Sequence, residues 1–251
     1  MFRHLEWPDE FEVEQISSVF KAYDIRGIFG KIITEQFAYR LGAALATYLD
    51  LNNLVVGRDI RESSPQLHSA FLLGLVESGV HVYDLGIIPT GTMYHATHEL
   101  NVDGGVMITA SHNPPEYNGF KMNKGSAAMA GESIQELLEV FLQSKFKAGE
   151  GSISNREILG NHIETIMNKI NVPKRRLNVA IDCGNAVAGP AMLELFKNLE
   201  VDVVPIFCQW DNQFPNHPPD PTRVENMQHL AKAVRENNCD FGIGIDGDGD
   251  R

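Results

Sequence analysis

Short apolar runs alternate with amphipathic stretches along almost the whole chain. Leu54–Gly57 reads as a buried strand. Ser64 then caps a helix with Pro65 in its first turn, and Leu67, Phe71 and Leu75 recur at helical spacing. Val80–Asp84 is the next predicted strand, a helical stretch lies near Thr92–Leu100, and Gly105–Thr109 is a third strand. Upstream, Thr34 opens a helix with Phe37, Leu41 and Leu45 on one face. The same order then returns. Leu177–Ile181 predicts a strand, Pro190 starts a helix carrying Met192, Phe196 and Leu199, and Val201–Pro205 is a strand. Thr222 and Glu225 form a capping-box signature for a helix with Met227, Leu230 and Val234, and Phe241–Ile245 closes the series as a strand.

Strand–helix–strand–helix–strand thus occurs twice, and each copy ends in an unusual polar loop, Ala110–Asn118 and Asp246–Arg251. The pattern predicts an α/β fold of two similar three-layer α/β/α domains with mixed or mostly parallel sheets, spanning residues 1–150 and 151–251. Function is expected at the carboxyl ends of the strands. Gln143–Ser154, rich in Gly, Ser and Lys, is the expected junction, and a helical segment over Asn155–Ile170 leads into the second domain. The last residue, Arg251, falls inside a turn directly after a strand, so the sequence is expected to be part of a longer protein.

The second loop carries Asp246, Asp248 and Asp250 separated by glycines. Three carboxylates at alternate positions of a tight turn can fold inward around one cation, and two bare charges at 4 Å would otherwise repel by ~4 kcal/mol at an effective dielectric of 20. All-oxygen ligation points to Mg²⁺ or Mn²⁺ rather than zinc, and a merely solvated acidic turn is the alternative. An EF-hand is excluded because Arg251 stands where its loop needs glycine. A dinucleotide fingerprint through Gly242, Gly244 and Gly247 is excluded because flanking aspartates would repel a pyrophosphate.

The first loop reads Thr109-Ala-Ser111-His112-Asn113-Pro114-Pro115. Each proline biases the residue before it toward extended backbone, so Ser111 is expected on a stiff, exposed loop suited to a nucleophile or a phosphorylation site. Side chains adjacent in extended backbone point apart, which makes His112 a poor base for Ser111; the G-x-S-x-G elbow of a hydrolase is absent. Arg26, beside Gly27, could present a planar fork to a phosphate. Gly57-Arg58-Asp59 reads as structural.

Composition narrows the class. The chain has 251 residues, 43% hydrophobic and 22% charged, as soluble globular proteins do. A formal net charge of −12 argues against a general nucleic-acid binder, although a local cluster of Arg and Lys can still hold a small anion. Three widely spaced cysteines, Cys183, Cys208 and Cys239, imply neither a disulfide framework nor a zinc site. Met1–Glu14 is interrupted by Glu6, Pro8, Asp9 and Glu10 and lacks a signal peptide's apolar stretch; no membrane span is expected, and the expected location is the cytoplasm.

Taken together and in this order, YDIRG at Tyr23–Gly27, TASHNP at Thr109–Pro114, YNGFK at Tyr117–Lys121 and DGDGDR at Asp246–Arg251 resemble the α-D-phosphohexomutases. The bacterial phosphomannomutase/phosphoglucomutase branch is the nearest. The resemblance runs from about Phe20 to the end and includes DCGN at Asp182–Asn185 and FPNHPPDP at Phe214–Pro221. It implies interconversion of hexose 6-phosphate and hexose 1-phosphate through a phosphoserine and glucose or mannose 1,6-bisphosphate. Ser111 would carry the phosphoryl group, and Asp246, Asp248, Asp250 and the phosphoserine would hold Mg²⁺. Lys121 would be a general base or acid with a lowered pKa. Arg26, Arg251 and Tyr23 would lie near the transferring phosphate, and His112 and Asn113 would line the same site. The family also implies a four-domain enzyme, of which this chain matches the first domain and most of the second. The sugar-specificity and phosphate-binding loops would be in the missing C-terminal domains. The fragment is therefore expected to be nearly inactive, its terminal loop frayed and a poor Mg²⁺ binder. Phosphoglucosamine mutase and a non-catalytic metal- or phosphosugar-binding module are the alternatives.

Overall fold

The computed structural model describes residues 13–143, 145–170 and 175–251. The Met1–Glu14 reading falls almost wholly outside them. The elements are α1 (Val13–Val19), β1 (Ile25–Ile28), α2 (Glu35–Tyr48), β2 (Asn53–Arg58), α3 (Ser64–Val76), β3 (His81–Ile87), α4 (Thr90–Glu99) and β4 (Gly104–Ile108). They continue with β5 (Tyr117–Lys124), β6 (Ala127–Ala128), α5 (Glu132–Gln143), β7 (Ser152–Asn155), α6 (Leu159–Met167), β8 (Asn178–Asp182), α7 (Gly189–Asn198), β9 (Asp202–Ile206), α8 (Gln228–Glu236) and β10 (Phe241–Gly244).

Two sheets result. The first has the order β1-β5-β4-β2-β3-β7 with β6 on β5, and the second the order β10-β8-β9. In each, the first strand of the repeated unit lies centrally and pairs in parallel with the other two: β2 with β3 and β4, β8 with β9 and β10. The sequence repeat is therefore a topological one, and both polar loops leave the carboxyl end of the third strand. Antiparallel β5 makes the first sheet mixed.

Alternation along the strands builds the layers. Leu54 and Val56 of β2 and Val106 and Ile108 of β4 join Phe37, Leu41, Phe71 and Phe141 on the face covered by α2, α3 and α5. Val55 and Met107 point the other way, against Met93 of α4 and Ile158. In the second unit α7 packs on β9, and α8 packs on β8 and β10.

Local expectations differ in three places. Thr34 does cap α2, accepting from Phe37 N at 3.1 Å. Ser64, by contrast, is inside α3 rather than its cap, and its hydroxyl donates to Asp59 at 2.5 Å. No capping box forms at Thr222. Its hydroxyl donates to Asp220, and a 3₁₀ turn over Val224–Met227 delays the helix to Gln228. The expected junction contains β7, whose backbone extends the first sheet beside β3, so the chain crosses between sheets after it.

Candidate functional site

The two loops meet at the seam between the sheets. Ser111 Oγ donates to Asp246 Oδ2 at 2.7 Å, and both side chains are fully buried. The approach is close enough that a Cβ on Gly247 would stand 2.1 Å from Ser111 O. Only glycine fits there. Asp246 Oδ1 accepts the backbone N–H groups of Asp250 and Arg251 at 3.0 Å, and Asp246 N donates to Arg251 O. The terminal loop is thus tied down rather than frayed.

Ser111 itself departs from expectation. It is buried, not exposed, and its φ of 53° lies in the left-handed region, a costly place for a non-glycine residue. That conformation breaks the alternation of an extended chain and brings His112 Nδ1 to 3.2 Å from Ser111 Oγ, correcting the inference that the two side chains diverge. The single hydroxyl hydrogen goes to Asp246, so the imidazole donates to Ser111 Oγ rather than accepting from it. Burial, then Arg251, hold the His112 pKa down.

The loop is fixed by a residue that the motif reading passes over. Arg61, 2% exposed, donates through Nη1 to Pro114 O (2.7 Å) and Tyr117 O (3.0 Å). Through Nη2 it donates to Ser111 O (2.8 Å) and Asn113 O (2.7 Å), while Nε faces Asp59 Oδ2 at 3.2 Å. One guanidinium fork thereby grips four carbonyls of the Ser111 loop. The other loop has its own scaffold, built from the remaining motifs. His217 Nε2 bonds Asp182 Oδ2 at 3.0 Å, Asn216 Nδ2 donates to Asn185 Oδ1 at 2.7 Å, and Pro219 packs on Gly184 and Gly247.

Ligand oxygens of Asp246, Asp248 and Asp250 lie within 4.8 Å of one another. Lys121, on the face of β5 opposite Phe120, places Nζ 2.6 Å from Asp248 Oδ2 and 2.5 Å from Asp250 Oδ2. Thr90 at the start of α4 adds its hydroxyl (2.7 Å) to Asp248 Oδ2 and its N–H (2.9 Å) to Asp248 O; this residue too is missed by the motifs. Asp248 Oδ1 is buried with no partner among the described residues. Three carboxylates facing one ammonium, with an orphaned oxygen among them, fit a hard divalent cation such as Mg²⁺. Burial and Asp248 push the Asp246 pKa up to about 6. Burial acts to lower the Lys121 pKa, but Asp248 and Asp250 outweigh it and raise it. In this arrangement Lys121 is a held cation, contrary to the lowered pKa a base requires.

A cleft of about 540 Å³ beside the aspartates is lined by Tyr23, Arg26, Tyr94, Lys121, Asp250 and Arg251. Arg26 is bonded to Asp24 and, at 2.8 Å, to Asn113 Oδ1. His112 and Asn113 instead line a separate cleft of about 560 Å³ with Tyr117, Phe214, Asp220 and Arg223. The predicted site residues therefore gather around the Ser111–Asp246 contact but divide between its two sides.

A family described as phosphoglucomutase/phosphomannomutase, alpha/beta/alpha domain I, matches residues 17–148, and its domain II matches residues 160–251. A phosphoglucomutase of Neisseria meningitidis serogroup B is 42% identical over 238 residues, covering 93% of this chain and 52% of that protein. A phosphomannomutase/phosphoglucomutase of Pseudomonas aeruginosa is 40% identical over 238 residues, covering 94% and 51%. A solved phosphoglucomutase/phosphomannomutase family protein of Burkholderia thailandensis superposes with a TM-score of 0.89 at 38% identity, over 93% of this chain and 53% of that one. The chain spans about half the length of each of these relatives. Among the described residues, no helix is long and apolar enough to cross a membrane.

Proposed function

The chain belongs to the phosphoglucomutase/phosphomannomutase family, and from this premise we propose that it supplies the phosphoryl-transfer half of a cytoplasmic hexose-phosphate mutase acting on mannose and glucose phosphates. The observation that carries the reading is the 2.7 Å contact between the Ser111 hydroxyl and Asp246, beside a buried carboxylate oxygen that finds no partner among the described residues.

The reaction moves a phosphoryl group from phosphorylated Ser111 to the free position of a hexose phosphate. The bisphosphate so formed, glucose or mannose 1,6-bisphosphate, turns around and returns its other phosphoryl group to Ser111. Phosphoryl transfer demands positioning and neutralised charge more than covalent help. Arg61 fixes the backbone that presents Ser111, and the left-handed conformation at that residue aims its oxygen at the seam. Asp246, Asp248 and Asp250, with the phosphoserine, would hold Mg²⁺, which when bound neutralises charge on the transferring group. Tyr23, Arg26 and Arg251 line the cleft where a phosphosugar would lie, and Lys121 reaches the same space as the group to move the hydroxyl proton. His112 and Asn113 brace the loop from its other side, Asn113 by holding Arg26. We assign residues 1–150 the phosphoserine loop and 151–251 the cation loop. The domains that would bind the sugar are outside these 251 residues, so the chain alone should turn over hexose phosphates slowly.

The test is phosphorylation of Ser111. Glucose 1,6-bisphosphate with Mg²⁺ should add one phosphate, mapped to Ser111 by peptide mass spectrometry. Mannose 1-phosphate or glucose 1-phosphate should discharge it. Phosphate that never appears at Ser111, or appears equally in Ser111→Ala, would overturn the reading.

A further inference from the structure

The position of Lys121 carries an inference of its own. Its Nζ bridges Asp248 Oδ2 and Asp250 Oδ2 at 2.6 and 2.5 Å, and its side chain is 12% exposed. Two of the three aspartates thus spend an oxygen on one ammonium at the point where all three converge within 4.8 Å. Thr90 and Lys121 between them fill Asp248 Oδ2, so a cation on that carboxylate's unpartnered Oδ1 would share one group with the ammonium. The lysine also has somewhere to go. The 540 Å³ cleft that it lines contains Tyr23, Arg26 and Arg251, and a four-carbon stem can swing its charge there without moving the backbone of β5.

We propose that Lys121 is a built-in stand-in for the divalent cation. Its ammonium and the cation draw on the same two carboxylates: the lysine holds Asp248 Oδ2 and Asp250 Oδ2, and a cation on the unpartnered Asp248 Oδ1 would stand beside that ammonium, so cation binding expels Lys121 from the aspartates into the cleft. This rests on the cation site proposed above and adds a coupling to it. The aspartates stay neutralised when no cation is bound, and the lysine becomes available to a substrate hydroxyl only when one is. The alternative account, a permanent structural ion pair, requires Lys121 to stay in place with the cation site filled.

Magnesium chloride alone is the probe, titrated calorimetrically into the chain and into Lys121→Met, with Lys121→Gln as a second variant should the first fold poorly. Removing the competitor should tighten Mg²⁺ binding about tenfold, equivalent to about 1.4 kcal/mol. Arg251→Gln removes a nearby, half-exposed charge that lies 4.0 Å from Asp250, beyond hydrogen-bond distance, and should change affinity less than about threefold. Reductive methylation of the unaltered chain, read by peptide mass spectrometry, gives a measurement that needs no variant. Lys121 should label slowly without Mg²⁺ and several-fold faster at saturation, while Lys21 and Lys124 keep their rates. Equal or weaker binding by both Lys121 variants, or Lys121 labelling that Mg²⁺ leaves unchanged, overturns the proposal while the cation site stands. Absence of Mg²⁺ binding to every form overturns both.

Discussion

Arg61 is the residue whose loss should do the most damage at a distance from any substrate. Arg61→Met keeps the stem and removes the fork. Asp59, 1% exposed, then loses the cation at 3.2 Å, and four loop carbonyls lose the guanidinium, of which Pro114 O keeps the Tyr117 N–H at 3.0 Å. Breaking a buried ion pair from one side costs about 3–5 kcal/mol, and each carbonyl left dry adds about 1 kcal/mol unless water enters. The sum should reach about 5 kcal/mol or more, comparable to the whole stability of a modest domain. Urea unfolding of the chain measures it. Asp59→Asn combined with Arg61→Met removes the stranded charge and should recover about 2 kcal/mol, since the other carbonyls remain unmet. In the double variant, limited proteolysis should cut within Ala110–Tyr117, which the unaltered chain protects. A loss below about 1 kcal/mol for Arg61→Met, with the loop still protected, would refute the argument that this guanidinium holds the loop.

Three further outcomes follow from the same geometry. Gly247→Ala puts a methyl 2.1 Å from Ser111 O, so the loops must part; destabilisation by about 2–3 kcal/mol and loss of Ser111 phosphorylation are expected, checked by urea unfolding and peptide mass spectrometry. Thr90→Ala removes a buried donor from Asp248 and should cost about 1–2 kcal/mol by the same unfolding assay, with Ser111 still able to accept phosphate. Burial and His95 hold His162 at about 4, below its ordinary 6.5, so the folded chain binds fewer protons than the unfolded one and loses stability as pH falls from about 6.5 towards 4. After discounting for the half-exposed ring, His162→Gln should lose about 1 kcal/mol less than the unaltered chain between pH 7 and pH 5 in paired urea titrations.

Much of this was legible before any coordinates. Periodicity finds α2, α3, α4, α7 and the three strands of each repeated unit because those elements bury continuous or helically spaced apolar faces. It passes over β5, where motif residues such as Asn118 and Lys121 interleave with Phe120 and Met122, so the polar chemistry hides the strand. It also passes over β7, a polar edge strand with mostly exposed residues. The helix α5 has a clear signal in Ile134, Leu137, Leu138 and Phe141 and could have been found from it. Within the site, the aspartate spacing and the Ser111 loop announce themselves. Arg61 and Thr90 do not, because a buried arginine and a surface one are spelled alike, and only the fold brings carbonyls from fifty residues away to meet it. The misreading at His112 has the same origin. Alternation assumes extended backbone, and nothing in Ala110-Ser111-His112 spells a left-handed serine.

The duplicated topology explains why the chemistry sits at a seam. Each unit sends a loop from the carboxyl end of its third strand, and the two loops are complementary in what they lack. One presents a hydroxyl, Ser111, with the cation of Lys121 beside it on β5; the other presents three carboxylates. The units meet through the small apolar cluster of Ile60, Ala186, Val187 and Phe214, through Ile158 packed with Val55 and Met93, and through polar contacts: Ser111–Asp246, Lys121–Asp248, Thr90–Asp248, Thr92–His162 and His95–Asn161. An interface of that kind resembles a transient one, in which relative motion is the default. The charges that serve the site therefore also help to set the pose of the two units. Anything that changes charge there, a phosphate on Ser111 or a cation among the aspartates, must act on the seam as well as on the chemistry.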